Sequence, residues 1–292
     1  MRTTGRWFVS GLLLLALGAA GSALAAEPPQ ASSETSMPAK ISAPRKDEHG
    51  WLVYTVESDL QSAPTELRVL LPRDFDEAGS YRVLYVLPVE AASESRFGVG
   101  LAEVERSGLA DKHGLVCVAP TFAKLPWYGD HPSDPHLKQE RYFIDVVLPT
   151  IESKFPVVRK PAGRLLLGFS KSGWGAWTHL LRRPDLFGKA AAWDSPMTMA
   201  WPSQYGSEPI FATRENFEQY RVWSLVESAG PKLGASPRLG LFGYGSFRAQ
   251  HEAIHARLEE LKLPHEYRDG PHRRHTWDSG WVPEAIEWLV KE

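Results

Sequence analysis

The stretch Leu165-Leu166-Leu167-Gly168-Phe169-Ser170-Lys171-Ser172-Gly173-Trp174-Gly175-Ala176 decides the fold. An apolar run without alternation is how a strand buried on both faces reads. Small residues then crowd a turn, and a helical pattern follows. In that setting Gly168-Phe169-Ser170-Lys171-Ser172 approaches G-x-S-x-G, which holds a serine in a strained strand-to-helix turn at the top of a sheet. The second glycine of the pattern is replaced by Ser172, with Gly173 directly after it. A serine is small enough to let the strand and helix approach. The competing reading is a plain strand-to-helix turn with Ser170 as its N-cap.

Outward from this stretch the chain alternates strands and helices. Residues 51–56 and 66–71 alternate in polarity and predict an antiparallel pair. Residues 82–87 (RVLYVL), 113–118, 163–167, 190–193, 238–242 and 265–268 predict further strands. Helical patterns cover 100–112, a stretch from about Lys171, 249–261 and 282–291. Asp134 as an N-cap and Pro135 at the first helical position predict a helix through Tyr142, Ile144, Val147 and Ile151. Continuous apolar strands separated by helices mean an α/β fold. Its mostly parallel sheet carries helices on both faces and begins with an antiparallel edge. Ligands in such sheets bind at the carboxyl ends of the strands.

The 292 residues carry 33 Lys+Arg against 35 Asp+Glu, a formal net charge of −2. That balance argues against a nucleic-acid partner held by a broad basic surface. A single cysteine, Cys117, excludes a disulfide framework, and mid-strand it reads as buried and inert. Arg2 and Arg6, an apolar stretch over 8–17 and Ala23-Leu24-Ala25 read as a signal peptide cleaved after Ala25, with an uncleaved membrane anchor as the competing reading. Residues 26–45 read as a linker and 46–292 as the folded domain. The expected location is the periplasm or outside the cell, with no membrane contact after cleavage.

Three segments together carry a family resemblance: RVLYVLP, LLLGFSKSGWGAW with the trailing RRPDLFGKAAAW, and the C-terminal HTWDSGW. The chain from about Trp51 onward resembles the esterase D and S-formylglutathione hydrolase-like esterases of the α/β-hydrolase fold. The resemblance implies a carboxylic ester hydrolase acting through a serine nucleophile and an acyl-enzyme, without a cofactor. It implies Ser170 as nucleophile and His275, in His275-Thr276-Trp277, as base. His272 is the alternative base, and a solvated loop histidine is the bland reading of either. The family's acid usually follows the seventh strand, yet 242–246 holds no carboxylate, and Ser246 stands in its place. Asp194, at the end of the sixth strand, is the other placement; a turn cap is its competing reading. Glu252 and Asp269 are the remaining nearby carboxylates. One oxyanion donor is expected to be the N–H of Lys171. The other should come from Val89 or Glu90, because Pro88 has no N–H. A carboxylate at Glu90 is unusual, since aimed at an oxyanion it would oppose catalysis.

Trp127, Tyr128, Trp174 and Trp277 are the candidate substrate-binding rings, with the loop 125–131 and the insertion 197–231 as candidate pocket walls. Packing anchors are the bland reading of the same aromatics. His251-Glu252-Ala253-Ile254-His255 matches H-E-x-x-H, a zinc-peptidase pattern. We read it as a coincidental match on a solvated helix face, with no metal. The leading expectation is therefore an exported serine esterase for a small-molecule or carbohydrate ester, including aromatic esters. A non-catalytic or acyl-transferring protein on the same scaffold, and more remotely a zinc peptidase, are the alternatives.

Overall fold

Strand β5 (Arg82–Val86) lies inside the sheet, between β6 (Leu115–Pro120) and β7 (Arg164–Phe169), and parallel to both. The computed structural model describes residues 38–92 and 94–291. The parallel series continues through β8 (Lys189–Trp193), β9 (Leu239–Tyr244) and β10 (His265–His272). On the other side β6 meets β4 (Thr65–Leu70) antiparallel, and β4 meets β3 (Leu52–Glu57) antiparallel. With β1 (Lys40–Ile41) and β2 (Arg45–Lys46) added, the order is β1-β3-β4-β6-β5-β7-β8-β9-β10, with β2 paired to β3.

Residues of β5 alternate between two cores. Val83 and Tyr85 join one core with Trp174 and Trp177 of α5 (Lys171–Arg182), Val226 of α8 (Val222–Ser228) and Ile254 of α9 (Arg248–Glu260). Leu84 and Val86 join the other with Val104 of α1 (Gly100–Ser107), Leu109 of α2 (Leu109–His113) and Ile286 of α10 (Val282–Val290). Both faces are covered, which is why the central strands, past the basic residues that open three of them (Arg82, Arg164 and Lys189), are runs of apolar and small residues.

Several expectations shift. Both β1 and β2 pair antiparallel with β3, so the described part of the expected 26–45 linker is joined to the sheet. The rest of that segment, and the signal-like N-terminus, lie outside the described residues. The helix expected over 100–112 breaks at Gly108, whose φ of +65° ends α1 and starts α2. The helix expected from Pro135 begins only at Gln139, with α3 (Gln139–Arg141). It runs on through a π-helical segment, Tyr142–Val147, into α4 (Leu148–Lys154). Asp134 caps a turn instead: its carboxylate accepts the N–H of His136 at 2.8 Å. The insertion after β8 carries α6 (Glu208–Phe211), α7 (Arg214–Glu218) and α8. Among the described residues no helix is long and apolar enough to cross a membrane.

Candidate active site

Ser170 joins β7 to α5 with φ 54° and ψ −128°, outside the regions ordinary side chains favour. Local chemistry holds it there. The Ser172 hydroxyl, fully buried, accepts the N–H of Phe169 at 2.9 Å and donates to the Phe169 carbonyl at the same distance. The departure from the second glycine thus supplies a clamp on the strand end. A side chain at Gly168 would run into the backbone of Ser172, and one at Gly173 into Ser195 Oγ. Glycine is required at both places for the helix to start this close to the sheet.

Asp194 ends β8 and also lies at positive φ, 41°. It is fully buried, and its carboxylate accepts the backbone N–H groups of Ser246 (2.8 Å) and Phe247 (2.7 Å), in the loop after β9. Burial alone would raise its pKa. The hydrogen bond with His275 and the N–H groups of Gly245, Ser246 and Phe247 outweigh burial and hold the carboxyl below its ordinary value. Next to it, Ser195 N–H donates to Nε2 of His251 at 2.8 Å.

His275 follows β10 and closes the set. Its Nδ1 hydrogen-bonds Asp194 Oδ2, and its Nε2 lies 3.1 Å from Ser170 Oγ. The ring rests on Phe169 at 4.5 Å, stands edge-to-face with Phe97 at 5.6 Å and lies tilted against Phe247 at 5.7 Å. Behind it Trp193 stacks on Trp281, and Trp281 on Trp277. The other candidates are elsewhere. His272 is exposed beside Tyr244. Asp269 is paired with Arg248 at 3.0 Å, and Glu252 is exposed on α9. Ser246 contributes its backbone N–H, not its hydroxyl, to Asp194.

Lys171 is the first residue of α5, so its N–H has no partner one turn back and is free to donate. Burial pulls its ammonium pKa down, with Glu90 opposing. The turn carrying Val89 and Glu90 is braced on both sides. Leu87 N–H reaches the Leu167 carbonyl at 2.9 Å, and the Tyr128 hydroxyl donates to the Pro88 carbonyl. Glu90 is only 3% exposed. Its carboxylate takes the Phe97 N–H at 3.3 Å and an ion pair with Arg96 at 3.4 Å. It therefore pins the loop that brings Phe97 against His275. A cavity of about 60 Å³ lies behind this turn, lined by Val89, Glu90, Val99 and Trp277; Ser170 is not among its walls.

The ring assignments need correction. Trp127, Tyr128 and Trp174 are fully buried and Trp277 is 2% exposed. Trp127 meets Trp174 edge-on at 5.8 Å, and Trp174 meets Phe211 at 5.6 Å, so the loop 125–131 anchors the insertion instead of facing solvent. The rings that flank His275 are Phe97 and Phe247, and Tyr205 of the insertion stands edge-on to Phe247 at 5.5 Å. Each is an isolated aromatic in a loop or a short helical turn, so no sequence pattern marks them. The histidines of the H-E-x-x-H stretch also part company. His251 is not solvated: burial lowers its pKa to about 4, against the opposing charge of Asp194. His255 instead faces His265.

Known proteins agree with this architecture. A family model described as "Putative esterase" matches residues 60–237. No curated protein sequence matches the chain. Among solved structures, an S-formylglutathione hydrolase from Agrobacterium tumefaciens is 19% identical, with a TM-score of 0.66 over 86% of this chain and 98% of that one. A fluorophosphonate-binding serine hydrolase from Staphylococcus aureus is 17% identical, with a TM-score of 0.67 over 86% and 100%. A ferulic acid esterase is 20% identical, with a TM-score of 0.63 over 87% and 98%. The chain belongs to this esterase family, with the α/β-hydrolase fold, and is a carboxylic ester hydrolase.

Proposed function

We propose that the protein is an exported serine esterase in which Ser170, His275 and Asp194 form the catalytic triad. The observation that carries this reading is the pair of contacts at His275, Nε2 to Ser170 Oγ at 3.1 Å and Nδ1 to Asp194. Ser170 Oγ attacks the ester carbonyl as His275 Nε2 takes its proton. The N–H of Lys171 and the Val89–Glu90 turn stabilise the oxyanion that forms. His275 then returns the proton to the departing alcohol, leaving an acyl-enzyme on Ser170. Water, activated by the same imidazole, releases the acid. Asp194 fixes the Nδ1–H tautomer and supports the imidazolium.

The acyl or alcohol portion is an aromatic or carbohydrate group. Phe97 and Phe247 beside His275, with Tyr205 and the exposed Trp201 on the insertion, support this reading, because rings with one open face suit such groups. The basic, apolar, Ala-x-Ala order of the first 25 residues supports export to the periplasm or beyond. The purified chain should hydrolyse p-nitrophenyl acetate, and Ser170→Ala should abolish turnover while leaving the circular dichroism spectrum intact. A Ser170→Ala variant with wild-type turnover would sink the assignment.

A further inference from the structure

We propose that His255, Glu259 and His265 form a binding site for a divalent transition-metal ion of the zinc type, which clips the C-terminal half of α9 to the start of β10. The three side chains converge from two elements. His255 Nδ1 lies 2.8 Å from His265 Nε2, Glu259 Oε1 lies 3.8 Å from the same nitrogen, and the three ligand atoms all fall within 4.8 Å of one another. Two imidazole nitrogens and one carboxylate oxygen are a standard zinc donor set, leaving a fourth position for water.

The ring orientations suit a metal. His265 Nδ1 lies 2.8 Å from the Leu263 carbonyl. A carbonyl can only accept, so Nδ1 carries the proton and Nε2 presents its lone pair toward His255. A ligand histidine whose other nitrogen donates to a backbone carbonyl is the usual outer arrangement of a metal site. The His255 ring stacks on Tyr267 at 4.1 Å and 16°, which fixes its plane. In a tetrahedral site with Zn–N of about 2.0–2.1 Å, ligand atoms stand about 3.3 Å apart. The nitrogens need to open by about half an ångström and the carboxylate to close by about as much. Glu259 is exposed and has room to do so.

The chain turn between the ligands is built in advance. Leu263 N–H reaches the Leu258 carbonyl at 2.9 Å, and Lys262, at φ 54°, donates to Glu259 at 3.0 Å. This closes α9 in a Schellman-type turn that returns His265 beside His255. His265 opens β10, whereas His275 follows its end, so the site lies a full strand length from Ser170. The ion would brace the fold and take no part in ester cleavage. Only His255 of the H-E-x-x-H stretch takes part, since His251 is spent on Ser195.

The test is titration of chelator-treated, full-length protein with ZnCl2 at neutral pH. It is read by metal content after desalting and by thermal melting. Wild type should retain one zinc per chain and melt at a temperature that rises with zinc, while p-nitrophenyl acetate turnover stays the same with or without chelator. His255→Gln and His265→Gln should lose both the retained zinc and the thermal response. Glu259→Gln should bind at least about tenfold more weakly, the loss typical even of residues one layer out from a metal. Glu252→Gln should bind as wild type does. Wild-type protein that retains no zinc would overturn the proposal and leave only an imidazole–imidazole hydrogen bond. Zinc retained by His265→Gln, or lost in Glu252→Gln, would equally overturn it.

Discussion

Ser170 and Asp194 both stand at the carboxyl end of a buried strand in left-handed backbone, at φ 54° and 41°, yet they are held by different means. Ser170 is fixed by its immediate neighbours: the Ser172 hydroxyl on Phe169, and glycines that let α5 approach. Asp194 is fixed from far along the chain. Backbone N–H groups of Ser246 and Phe247 cradle its carboxylate, and His251 holds the N–H of Ser195. A serine on a turn needs only local strain. A buried carboxylate needs several donors to offset its desolvation, and only distant loops can bring them.

The comparison breaks first at Asp194. Asp194→Asn keeps the shape but removes the charge that supports the imidazolium, so kcat should fall by about 10⁴-fold. Because the fold is retained, steady-state kinetics with unchanged circular dichroism should show this. A loss of tenfold or less would mean that the cradle serves structure alone. Ser172→Ala tests the local side. It strips both hydrogen bonds from Phe169 and leaves a buried N–H unpaired, costing about 1–3 kcal/mol of stability. Urea denaturation measures this, and kcat should fall far less than in Asp194→Asn.

The smallest effect concerns a histidine outside both groups. His179, buried on α5 against Phe143, has no hydrogen-bond partner for either ring nitrogen among the described residues. Burial, aided by Arg182, lowers its pKa from 6.5 to about 3. The folded state therefore binds fewer protons than the unfolded chain between these values, so stability falls as pH drops from 6.5 toward 3. Buried His251, lowered to about 4, acts in the same direction. His179→Phe should flatten this acid loss and be more stable than wild type by on the order of 1–2 kcal/mol at pH 5. Melting curves from pH 7 to pH 4.5 check it, and parallel curves for the two proteins would contradict the assignment.

The same contrast explains what could be read from the chain. The elbow, the alternation of strands and helices and the sheet's two covered faces follow from contiguous apolar and small-residue patterns, as residues 164–176 illustrate, whereas the order that sets β5 between β6 and β7 has no such local signature. In the sequence Asp194 reads equally as a turn cap, because the donors that cradle it are backbone groups with no side-chain signature. The outward role given to Trp127, Tyr128 and Trp174 did not match their burial. Trp174 stands at i, i+3, i+7 with Trp177 and Leu181, the apolar stripe of a packed helix face, whereas nothing in the sequence shows that Tyr128 reaches Pro88. Asp134-Pro135 has the chemistry of a helix start and of a turn alike, and the buried amide of Gln139 favours the turn by binding Trp127 and Tyr128 N–H at 2.8 and 2.9 Å.

If the proposed triad operates, His275, oriented by Asp194, activates Ser170. Covalent labelling of the purified chain by a fluorophosphonate, located by peptide mass spectrometry, tests it most directly. Modification should be stoichiometric at Ser170, slowed by orders of magnitude in Asp194→Asn and absent in Ser170→Ala. Label on another serine, or labelling of Ser170 at the same rate in Asp194→Asn as in wild type, would contradict it.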